Sequence, residues 1–325
     1  MDSLLLNKNI AGFLLVIITL LPGGGKAIAA SESGREQLRI LAVSPVIADI
    51  TRQVGGSEVN VTSLLSPGVD PHAYEVTPGK MRGMAEADLV IANGLGFESM
   101  LPGFQEIFPA AKLLVLGERI SDPIRAGTHS HEHEHEAADH DKAPFDPHWW
   151  HSVGNVKAAA VSIRDRLIQL RPEASDAFQK NTAHYLKELD KLARWIRIQI
   201  ATIPRKDRIL LMSHDALAYF ARDYGFTILP IRGANTLEQP SSQEVQELIK
   251  KIQELRVPII FSEAVENPKV AREITQETGV AFGPPLYTDN LGNANDDAGT
   301  YIGMMRYNVQ AVVNGLGSTK IPTQP

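Results

Sequence analysis

The 325-residue chain contains no cysteine. It therefore has no disulfide, no thiolate metal site and no cysteine to carry a lipid. A basic excess is also missing: 32 Lys and Arg stand against 38 Asp and Glu, a formal charge of −6. Neutralising nucleic-acid phosphates needs a basic face, so a nucleic-acid partner is excluded, whereas an acidic balance suits the attraction of cations. Membrane spans take about 20 apolar residues, and the run from Ile10 to Leu21 stops short of that, broken by Gly23 to Gly25. With Lys8 before it and Ala27-Ile28-Ala29 after it, this run reads as a cleavable signal peptide over 1–29. The mature chain is expected free and soluble outside the inner membrane.

From Leu38 onward, short apolar runs alternate with helical periods, the pattern of a mostly parallel sheet covered by helices. Strands are predicted at 38–43, 60–65, 88–93 and 112–117, with a helix over 45–54 opened by Pro45 and closed by Gly55-Gly56. The alternation restarts with strands at 208–213, 226–231, 257–263 and 280–287, and helices over 215–225, 242–255, 267–279 and 300–313. Between these halves lies a helix predicted from 153 to 170, then a stretch from 174 to 203 that lacks both Gly and Pro. Its apolar residues recur near helical spacing, and at 1.5 Å per residue it would run roughly 45 Å, a stiff rod between domains. The expected organisation is an N-terminal α/β domain over 30–173, a linker helix over 174–203 and a C-terminal α/β domain over 204–325. The fold class is thus α/β, with two Rossmann-like domains joined by one long rigid helix and a site in the cleft between them.

The tripeptide Asp-Pro-His occurs twice, at Asp70 to His72 and at Asp146 to His148. Proline fixes its own φ and biases the preceding aspartate away from the helical region, which presents the histidine on a preset backbone. His72, His148, His214 and Asp289 all fall in loops after strands, where open α/β sheets bind ligands. Three imidazoles and one carboxylate suit Zn²⁺, a borderline-soft ion that takes four tetrahedral N and O ligands. His151, Asp215 and Glu263 are candidate neighbours that would orient such ligands. Imidazole ligands imply weaker binding below about pH 6.5.

A polar insertion over 126–145 carries His129, His131, His133, His135 and His140 alternating with glutamate. It has nothing apolar to bury, so disorder is expected there. His131 to His135 formally satisfies H-E-x-x-H, but the metalloprotease signature requires a buried helix and no apolar stripe surrounds it. Gly94-Leu95-Gly96 resembles the start of a dinucleotide loop, yet Ser99 stands where the third glycine belongs.

The set DPHAYE, DPHWW, SHDALAYFARDYG and LYTDNLG, with the long middle helix and the closing TYIGMMRYNV, resembles the zinc and manganese solute-binding proteins of bacterial ABC importers, the ZnuA and TroA type. The resemblance implies that His72, His148, His214 and Asp289 are the four ligands, two from each domain. It also implies a periplasmic, monomeric protein that is not an enzyme, with the importer's permease and ATPase as partners. Manganese importers of the family usually place glutamate where this chain has His214, so the resemblance favours Zn²⁺, with Mn²⁺ possible. Zinc-type members often carry a His-rich loop here, which implies accessory binding by the five tract histidines. The competing readings are a manganese-binding relative, a metal-dependent adhesin of the same fold and a zinc hydrolase.

Overall fold

A computed structural model describes residues 36–71, 74, 76–98, 103, 109, 112–126, 145–232, 240–264 and 269–317. The expected signal peptide, His72 and the histidines of the tract lie outside the described residues.

The first half begins with β1 (Leu38–Ala42), followed by α1 (Pro45–Gly55) and β2 (Val59–Ser63). Ser44 caps α1 by accepting from the Ile47 N–H, and Pro45 occupies the first turn, where its missing N–H costs nothing. A short helix not foreseen in the sequence, α2 (Pro78–Ala85), starts on Thr77-Pro78, which is the same kind of start signal. Strands β3 (Leu89–Ala92) and β4 (Leu113–Val115) complete a parallel sheet of order β2-β1-β3-β4. Helix α3 (Val153–Leu170) then leads into α4 (Ser175–Ile200).

The second half repeats the topology. β5 (Ile209–His214), α5 (Ala218–Tyr224), β6 (Thr227–Arg232), α6 (Ser242–Leu255), β7 (Ile259–Phe261), α7 (Lys269–Thr278) and β8 (Ala281–Phe282) precede the closing helix α8 (Tyr301–Gly317). Its sheet is also parallel, with order β6-β5-β7-β8. The strand predicted over 280–287 is cut to two residues, because Pro284 and Pro285 have no N–H to give a ladder. Pairing resumes beyond them as a bridge between Glu263 and Leu286. Helix α8 runs past the predicted end at 313. Gly315 lies so close to Phe261 that a Cβ there would sit 2.8 Å from its Cζ, and only glycine permits that approach.

Helix α4 is a 26-residue rod, about 39 Å long at the usual rise. Its buried stripe, Phe178, Thr182, Tyr185, Leu189, Leu192, Ile196 and Ile200, is spaced in steps of three or four and packs on α1 and α3 of the first half and α8 of the second. Arg208 closes the rod, donating to the carbonyls of Ile200 and Ile203 and, across the turn, of Tyr224. Both sheets belong to one compact unit that begins at Gln37. Each sheet turns one face to the apolar core shared with these helices, as Ile40 and Met212 do, and the other to a smaller cluster of its own, as Val90 and Leu211 do. No helix among the described residues is long and apolar enough to cross a membrane.

Candidate metal centre

Open parallel sheets leave a crevice where the strand order reverses, beyond the carboxyl ends of the central strands. In the second sheet that point lies between β5 and β7. His214 is the last residue of β5, and Glu263 stands two residues past β7. The bridge from Glu263 to Leu286 carries the chain on to Thr288 and Asp289 beside them. From the first half comes His148, just before a tight 3₁₀ turn formed by Trp149, Trp150 and His151. The reason for its placement is local: Asp146 folds back so that one carboxylate oxygen accepts both the His148 backbone N–H and its Nδ1–H, each at 2.8 Å.

His148, His214 and Asp289 converge with donor atoms that all lie within 4.8 Å of one another. His148 Nε2 is 3.3 Å from Asp289 Oδ1, and His214 Nε2 is 3.5 Å from Oδ2. These three side chains are 0%, 0% and 1% exposed. Each imidazole points Nε2 at Asp289 because its Nδ1 is committed elsewhere: His148 to Asp146, and His214 to Glu263 Oε1 at 2.5 Å. A carboxylate on Nδ1 fixes the tautomer and raises the basicity of the other nitrogen. Phe97 and Trp150 meet the His148 ring edge-on and wall the site with apolar surface.

The electrostatics follow from that packing. Burial alone pushes the His148 pKa down, but the charges and hydrogen bonds of Asp146 and Asp289 outweigh it and raise the value to about 10. In the same way, burial opposes Glu263 and Asp289 at His214, and the carboxylates raise it to about 9. His151 goes the other way. Burial and then the neighbouring His148 depress it to about 3, so it is a neutral ring donating Nε2–H to the Thr288 carbonyl at 2.9 Å.

Of the four principal residues singled out in the sequence, His148, His214 and Asp289 are thus together, and His72 lies outside the described residues. Asp215 is buried beside His214, where its N–H donates to the Arg232 carbonyl, while the carboxylate that holds His214 Nδ1 is that of Glu263. Sequence reading missed Asp146 as a partner of His148 and gave no role to Thr288. The repeated Asp-Pro-His was itself a signal for the first, since an aspartate two residues before a histidine can reach both its N–H and its ring. The Gly94-Leu95-Gly96 segment is a tight turn with positive φ at all three residues. Buried Glu98 closes it by accepting the Asn93 and Gly94 N–H groups, its pKa raised to about 7 by that burial. Asn93 in turn donates to the Pro147 carbonyl next to His148.

A family profile described as ZnuA, zinc-uptake complex component A, periplasmic, matches residues 40–315. The chain belongs to this family. Among ZnuA-family relatives, it is similar to the manganese-binding lipoprotein MntA of Bacillus subtilis (strain 168), 33% identical over 296 residues, 89% of this chain and 92% of MntA. It is also similar to the zinc-binding protein TroA of Treponema pallidum (strain Nichols), 30% identical over 276 residues, 83% of this chain and 86% of TroA. The solved structure of periplasmic zinc-binding protein TroA superposes with a TM-score of 0.78 at 28% identity, covering 86% of this chain and 99% of that one. ZnuA-family proteins are uptake components that bind a metal, so this chain is a binding protein and not an enzyme.

Proposed function

We propose that this ZnuA-family chain captures Zn²⁺ outside the inner membrane and hands it to the permease and ATPase of an ABC importer. The ion is cargo, held by His148, His214 and Asp289 with His72 as fourth ligand. One observation carries the reading: two buried imidazoles aim Nε2 at the two oxygens of one buried carboxylate. Ligand atoms around a tetrahedral zinc with bonds of about 2.0–2.1 Å stand roughly 3.4 Å apart, and each Nε2 lies near that distance, 3.3 or 3.5 Å, from an oxygen of Asp289. Two nitrogen donors, each backed by a carboxylate, favour zinc over manganese. Among the described residues, the carboxylates behind the two imidazoles, Asp146 and Glu263, are committed to Nδ1–H groups, the arrangement that orients ligands and not the one that activates a metal-bound water.

Manganese is the second reading, favoured by the manganese-binding name of the Bacillus relative. Metal analysis of protein purified without added metal, followed by Zn²⁺ and Mn²⁺ competition, is expected to find one equivalent of zinc, displaced by manganese only in large excess. Manganese in the purified protein, resisting equimolar zinc, would reverse the assignment.

The tract histidines, His129, His131, His133, His135 and His140, form an accessory site in this reading, and the domains run 30–173, 174–203 and 204–325 after a cleaved signal peptide. The stem of the tract is built: Arg125 and Phe145 pair in antiparallel register, and Tyr219 OH accepts from the Ile124 N–H and donates to the Asp146 carbonyl. Removing 129–142 is therefore expected to leave one tight equivalent of zinc and to abolish weaker ones, read by titration against a chelator. Loss of the tight equivalent would assign ligands to the tract.

A further inference from the structure

Thr288 occupies a junction in this site that the ligand set does not explain. It is buried, and two donors from the first half meet its carbonyl: Trp150 Nε1 at 2.8 Å and His151 Nε2 at 2.9 Å. Its hydroxyl donates to Glu263 Oε2 at 2.6 Å, and the other oxygen of that carboxylate holds His214 Nδ1 and accepts the His214 backbone N–H at 3.3 Å. Asp289 follows Thr288 directly in the chain. The same residue therefore links the Trp-Trp-His turn of the first half to the seat of His214 in the second.

We propose that Thr288 is a positioning residue for metal capture: its hydroxyl sets the face Glu263 presents to His214, and its carbonyl ties that setting to Trp150 and His151. Three observations support the direction of this relay. Glu263 is nearly fully buried, so rotation of its carboxylate is governed by the donors around it. Those donors are the Thr288 hydroxyl on Oε2 and the two His214 groups on Oε1, which leaves Thr288 as the contact that discriminates one oxygen from the other. Moreover, a carbonyl receiving two N–H donors from distant residues cannot shift without breaking both. The Trp150 carbonyl is held in addition by the Tyr301 hydroxyl at 2.8 Å, so the turn supplying those donors is itself anchored.

This inference rests on the proposed zinc site, and its test separates the two. Zinc affinity is measured by chelator competition for the wild type, Thr288→Val, Thr288→Ser and His151→Phe, with the His214 ring followed by nitrogen NMR in the metal-free protein. Valine keeps the shape and removes the hydroxyl donor, whereas serine keeps the donor. Partners behind a metal-binding histidine are worth about 10- to 100-fold in affinity. Thr288→Val is expected to weaken zinc about tenfold and to shift the His214 Nδ1 resonance, while Thr288→Ser stays within about threefold of wild type. His151→Phe is expected to weaken binding too, and to add less than its single effect in the Thr288→Val background, because both act through one residue. Valine and serine variants with equal affinities, or a valine variant that melts lower yet keeps wild-type affinity and the His214 resonance, would reduce Thr288 to packing. A wild-type protein without a tight zinc equivalent would instead overturn the site itself.

Discussion

Replacing His148 with alanine is expected to weaken zinc binding at least about a hundredfold. Structural zinc sites gain about 10–16 kcal/mol from four ligands, so one ligand carries roughly 3 kcal/mol, and each 1.4 kcal/mol is tenfold. His148 sits at the upper end of that range for two reasons. Its ring arrives already oriented by Asp146, so little rotamer freedom is lost on binding, and its deletion leaves both Asp146 and Asp289 buried with one fewer donor. Isothermal calorimetry with a competing chelator measures the change, and melting of the metal-free variant separates loss of a ligand from loss of fold. An unchanged affinity at one equivalent would remove His148 from the site.

The second large effect concerns protons. With values raised to about 10 and about 9, both His148 and His214 carry a proton in the metal-free protein at neutral pH. A ligating imidazole has given up that proton, so zinc uptake at pH 7.5 is expected to release about two protons per ion from these residues. The association constant should then fall roughly a hundredfold for each pH unit below 8. The unperturbed imidazole value had placed this weakening below about pH 6.5; the buried carboxylates move the window upward because they favour the charged ring. Stability of the metal-free protein runs in the opposite sense. Both folded-state values lie above the unfolded one of about 6.5, so the imidazolium–carboxylate pairs stabilise the fold fully below that pH and lose their effect as pH rises through about 9 and 10. Binding enthalpies in buffers of different ionisation heat count the protons, and a heat independent of the buffer would contradict the charged state of the pair.

Most of the architecture was legible because it rests on local chemistry. Apolar runs of four to six residues, a proline opening a helical period that a Gly-Gly pair closes, and thirty residues without Gly or Pro announce β1, α1 and α4 whatever surrounds them. Errors arose where a breaker inside an apolar run was given too little weight, or where a distant contact prolonged an element. Pro284 and Pro285 deny β8 its hydrogen bonds although the residues around them are apolar, and Gly315 continues α8 because it packs on Phe261. His148, His214 and Asp289 could be singled out as candidate ligands from strand-end positions and the repeated Asp-Pro-His, and the structure brings the three together. Their partners could not all be named in that way.

Sequence alone determined the chemistry of the donors, the absence of thiolate ligands and the order of two α/β halves around a rod, since each depends on residue type and near-neighbour spacing. Tertiary structure decided which carboxylate stands behind which imidazole. Asp146 reaches His148 across two residues, but Glu263 reaches His214 across 49, and Trp150 reaches the Thr288 carbonyl across 138. Such pairings follow from the parallel register that sets β7 beside β5 and from the packing of the first half's Trp-Trp-His turn on the second. No local preference encodes them, because a buried hydrogen bond is specified by the whole chain that excludes water from it.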